Sequence, residues 1–155
     1  MSLTLAGGWG NTYAESGTWI LNPLDNNWNN PANWSSNSVP GFFDPAFFAV
    51  SNVTEISLTA NNVVYQITFN SGASAYNFTA LPGSSLSFEG GGISNSSGVV
   101  QNFLSQTDDA GQAGSFVFNF ASSAGSSVVF TENGASVPGA PGGAVYFSSS
   151  FDFAN

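Results

Sequence analysis

Residues 76–92 of this chain align without a gap on residues 118–134, at an offset of 42. Asn77/Asn119, Phe78/Phe120, Gly83/Gly125, Ser84/Ser126, Ser85/Ser127, Phe88/Phe130 and Gly92/Gly134 are identical pairs. A shorter word, Gly and two small residues followed by apolar-x-Phe, starts at Gly83, Gly125 and Gly142, with a looser copy at Gly114. Self-similarity on this scale marks a repeat architecture, in which a unit buries its apolar face only by stacking on the next. An offset of 42 fits two coils of about 21 residues each. Gly, Ser and Asn suit the corners of such coils, where the chain needs positive φ and small side chains. Asn77 and Asn119 are candidates for a stacked, hydrogen-bonded ladder at equivalent corners. The competing reading is an antiparallel β-sandwich, whose Ser/Gly turns and Phe-ended strands would resemble one another by composition alone.

Helix signals are nearly absent, and strand signals begin at about residue 54. Ile56 and Leu58, then Val63, Tyr65, Ile67 and Phe69, then Tyr76 and Phe78, then Leu86 and Phe88 alternate with polar or small residues. That period places one face of each strand in a core. Residues 1–53 read differently, with Trp9, Trp19, Trp28 and Trp34 among turn-forming pairs such as Asn22-Pro23 and Asn30-Pro31. The expected organisation is one domain, with 1–53 as an N-terminal segment capping the solenoid and 54–155 as roughly five coils.

No side chain is cationic at neutral pH: there is no Lys, Arg or His, against nine Asp and Glu, for a net charge of −9. Nucleic-acid binding, which needs cations to displace counterions from phosphates, is excluded, as is direct attraction to an anionic membrane. No carboxylate can form a salt bridge with a side chain, so each is solvated, hydrogen-bonded or metal-bound. Without Cys there is no disulfide either, which leaves packing and backbone hydrogen bonds to hold the fold. Neither a membrane-spanning apolar run nor a signal peptide is legible.

The words Ile67–Asn70, Ala75-Tyr76, Leu86–Phe88, Gly90–Asn95, Ser97-Gly98 and Gln101–Phe103 resemble the repeats of bacterial autotransporter passenger domains and related exported β-helix proteins. Trp28 to Trp34, followed by Pro40, Asp44 and Phe47-Phe48, is similar to the Trp/Asn-rich segment that leads into those repeats. The resemblance covers residues 18–103. It implies a right-handed parallel β-helix displayed outside the cell, extracellular or at the cell surface.

Catalysis is not expected. Serine nucleophiles have no His or Lys to act as base, and β-helix lyases use an Arg or Lys that is missing. Asp108-Asp109 has the two carboxylates a hydrolase requires, but an acidic loop is the simpler reading. The same pair is the weak candidate for calcium, the one metal class that Asp and Asn would suit; no other cofactor is expected. Trp19, Trp28 and Trp34 could stack on cell-surface glycans, although tryptophans beside Asn-Pro turns more often cover a solenoid end.

The C-terminal text, Ala144 to Phe147 and on to Ala154, keeps strand patterning and carries no Lys or Pro to stop edge pairing. The expected partner is therefore a second copy, docking head to tail against the segment with Leu3 and Leu5 to build a filament, tube or layer. The alternative is a monomeric adhesin or glycan-binding module reading ligand through the three tryptophans.

Overall fold

The computed structural model describes residues 16–148; Leu3, Leu5 and the text beyond Ser148 lie outside them. Ten strands are formed: β1 (Gly17–Trp19), β2 (Pro45–Phe48), β3 (Glu55–Leu58), β4 (Asn61–Phe69), β5 (Asn77–Ala80), β6 (Ser85–Asn95), β7 (Gln101–Ser105), β8 (Ser115–Phe118), β9 (Val128–Glu132) and β10 (Ala144–Phe147). One sheet runs β1-β2-β4-β6-β8-β10 and the other β3-β5-β7-β9. All pairings between these strands are parallel, so the chain is a parallel β-solenoid of about five turns, not an antiparallel sandwich. The register of β4 against β6 shifts between Val64 and Gln66. Before the shift β4 and β6 carry β8 through Ser85–Phe88; after it, β4 rests on β2 through Gln66–Phe69.

Alternation builds the core directly. Ala46 and Phe48, Ile67 and Phe69, Phe78 and Ala80, Leu86 and Phe88, and Phe116 and Phe118 point inward and are buried. Strand spacing of about 4.8 Å brings like residues on successive turns into contact. Phe78 stacks on Phe103 with centroids 4.6 Å apart and planes 6° from parallel, and Phe103 lies 5.2 Å from Phe130. A second column runs Phe88 to Phe118 at 4.5 Å and Phe118 to Phe147 at 4.8 Å. Burying each of the fully enclosed rings contributes about 1.5–3 kcal/mol.

The columns correct the register implied by the sequence repeat. Phe78 stands under Phe103 and then Phe130, and Phe88 under Phe118 and then Phe147. Phe88 therefore belongs to the larger sheet, while Phe130, its match at an offset of 42, belongs to the smaller one. Phe78 is buried, whereas Phe120 sits just past β8 with φ 55° and is half exposed. An offset of 42 carries the chain one turn and on to a different wall; it is not two turns. Turns run from 21 residues, Pro45 to Gln66, up to 30, Ser85 to Ser115. The repeated word encodes a corner instead: Gly83 (φ 76°) and Gly125 (φ 72°) both turn through the left-handed region into an inward-facing strand. At Gly125 an added Cβ would also lie 2.4 Å from the Ile93 carbonyl oxygen.

The expected boundary near residue 54 is not a structural one. β1 and β2 are the first strands of the larger sheet, and Asn27 bridges in parallel to Ser57 of β3, so the solenoid has begun by Gly17. About five turns are reached only by starting there, not at residue 54. A 3-10 helix at Pro31–Asn33 delivers Trp34 back against Trp19. Within the described residues no helix is long and apolar enough to cross a membrane.

Candidate functional site

Trp19, Trp28 and Trp34 are 1%, 0% and 1% exposed, so none presents a ring face to a sugar. The glycan-binding role considered for them is corrected on that ground. They fill the first turn: Trp34 packs edge-on against Trp19 at 5.3 Å and Trp28 at 4.8 Å, and Phe48 lies against all three. Trp19 Nε1 donates to the Val53 carbonyl and Trp34 Nε1 to the Trp28 carbonyl. Trp28 Nε1 is buried without a hydrogen-bond acceptor. The exposed aromatics are others, among them Phe42 and Phe43, paired edge to face, and Tyr146 and Phe147 on β10.

Asp108 and Asp109 do separate jobs. Asp108 Oδ1 accepts from the Ala110 and Gln112 backbone N–H groups and closes its own turn. Asp109 Oδ1 accepts from the Ser136 hydroxyl at 2.5 Å, on the loop before β10. Among the described residues no three Asp, Glu, His or Cys side chains lie close enough to hold a metal ion. The Asn ladder forms with different partners from those expected. Asn102 Nδ2 donates to Asn77 Oδ1 (2.9 Å) and Asn77 Nδ2 to Glu55 (2.6 Å), while Asn119 donates to Glu89 (2.6 Å). With no cationic side chains available, side-chain amides are the donors to Asp25, Glu55 and Glu89.

What remains is the last described rung, made of β9 and β10. On the column ending in β10, Phe88 and Phe118 are 0% and 1% exposed, whereas Phe147 is 64% exposed at the same inward position. Tyr146 and Val129 add exposed apolar surface on the outer faces of these strands, and Phe130 is only partly buried. Backbone N–H groups alternate in direction along a strand. Ala144 and Ser148 donate down to Gly114 and Phe118, so Val145 N–H points to the open edge. Glu132 Oε1 accepts it at 3.0 Å.

Glu132 is the residue that sequence reasoning missed. It pairs in register with buried Ser105, as Phe130 does with Phe103, and so occupies an inward position. The signal was present in the alternation Val128, Phe130, Glu132, and became readable once the inward face was known. Comparison of the chain with protein-family models, with curated proteins and with solved structures finds no match.

Proposed function

We propose that this chain is a non-catalytic structural subunit that works outside the cell and stacks end to end through the rung of β9 and β10. One observation carries the reading: Phe147, an inward-facing core residue by register, is 64% exposed. Each lower ring in its column is covered by the next turn, and a second copy seated on the end would cover Phe147 in the same way. Edge strands with free backbone groups and apolar side chains are templates for pairing. Contacts between two unlike ends at opposite poles of a straight stack propagate along its axis instead of closing a ring, into a filament, a tube or, with lateral contacts, a layer. The resemblance of residues 18–103 to exported β-helix repeats supports the extracellular setting.

Sedimentation and negative-stain imaging across a concentration series test the proposal. The native chain is expected to form rods or sheets as concentration rises, and Phe147→Asp to abolish them while leaving the folded monomer intact. Monomers alone at every concentration and solution condition would sink the proposal.

A further inference from the structure

Resting on that proposed stacking, we infer that Glu132 makes it proton-linked, so that each end-to-end contact takes up a proton and neutral solution holds copies apart. Leu58, Ala80, Ser105 and Glu132 follow one another in register up the smaller sheet. The first three are fully buried, each beneath the turn above it. Glu132 occupies the fourth place, exposed on the last described rung, with its carboxylate reaching across to the Val145 N–H. A copy seated on this rung encloses that carboxylate as the native turns enclose Ser105.

Burial disfavours the charged form of a carboxyl unless a cation or sufficient hydrogen bonds replace water. A second copy brings no cationic side chain, because the chain has no Lys, Arg or His. Nor do the described residues around it supply a different titration. β7 and β10 are the strands packed against β9, and their one ionisable side chain, Tyr146, sits between inward Val145 and Phe147 and faces outward. The loop between β9 and β10 carries no ionisable group of its own and is touched by Asp109 through Ser136. The neutral acid removes the cost of enclosure and offers an O–H to an edge carbonyl of the incoming strand. Ionised Glu132 instead does what inward-pointing charges do at natural sheet edges, and blunts pairing.

The test measures association by sedimentation across pH, at an ionic strength that screens surface carboxylates but not an enclosed one. The native chain, Glu132→Gln and Asp109→Asn are compared. In the native chain association is strongest in acid and weakens by about tenfold per pH unit as the enclosed carboxyl must ionise. Glu132→Gln is expected to lose that slope and assemble at neutral pH, and Asp109→Asn to follow the native chain. If Glu132→Gln keeps the native slope, the proton gate is wrong and stacking stands. If no variant associates at any pH, stacking fails and the gate with it.

Discussion

The first and last described turns of this solenoid are built from the same ingredients and finish in opposite states. In the first, three tryptophans pack on one another and on Phe48 and are all but inaccessible to solvent. Asn33, itself 0% exposed, ties together the loop that holds Trp28. Its Oδ1 accepts from Leu24 N–H at 2.8 Å, and its Nδ2 donates to Asp25 and to the Asn27 carbonyl. The last rung has the same alternating strands, yet its inward Phe147 is mostly exposed and its inward Glu132 has a single backbone partner. The difference teaches that alternation specifies a face, and only a neighbouring layer turns that face into core. An end that buries its polar groups behaves as a wall, and one that leaves them unenclosed behaves as a contact surface.

Breaking the closed end produces the largest effect on the monomer. Trp34→Ala removes a ring touching Trp19, Trp28 and Phe48 and strands the Trp28 carbonyl. A loss of about 3–5 kcal/mol is expected in urea unfolding. The same kind of truncation at Phe147 should barely move that midpoint, since most of the ring already meets water.

Asn33→Ala comes next, at about 1–3 kcal/mol, because it removes the acceptor of the Leu24 N–H and the amide that donates to Asp25 and to the Asn27 carbonyl, three hydrogen bonds at once. It also changes the response to acid. The Asn33 amide, with the Asn27 backbone N–H and the Asn30 amide, holds the Asp25 carboxyl below the usual carboxylate range. A lowered folded-state value stabilises the fold above the unfolded aspartate value of about 3.9, and that contribution is lost as pH falls through the folded value. Asn33→Ala should therefore move the acid-unfolding midpoint to higher pH, followed by tryptophan fluorescence. An unchanged midpoint would show that the amide does not bear on Asp25.

The smallest effect sharpens the comparison inside the closed end. Trp28→Phe deletes an N–H that has no acceptor, whereas Trp34→Phe deletes one that does. Trp34→Phe should cost about 1–3 kcal/mol more than Trp28→Phe, read as a difference between two denaturation curves. Equal costs would mean that ring volume alone governs this turn.

Much of the architecture was legible before the structure. The alternation of Ile67 and Phe69, Leu86 and Phe88 is local, and so is the Gly-Ser-Ser corner, because both describe what a few consecutive residues do to backbone and side-chain direction. The repeat marks stacking but not register: Gly83 and Gly125 open the same kind of corner on different walls. The candidate site was half legible. Strand patterning at Ala144–Phe147 pointed to the open edge, while Glu132 passed unnoticed as a polar residue ending a strand.

By itself the sequence determined that the chain would be strands and tight corners, with amides in place of cations, since alternation, glycine and the missing Lys, Arg and His are properties of residue type. The tertiary structure alone decided that Phe78 lies under Phe103, that Trp28 is core, and that Glu132 faces inward across the last rung. The reason is that loop lengths between turns vary at small entropic cost, so no fixed spacing sets register. Contacts between distant turns select it, and whether a ring or a carboxylate is enclosed depends on the layer placed above it.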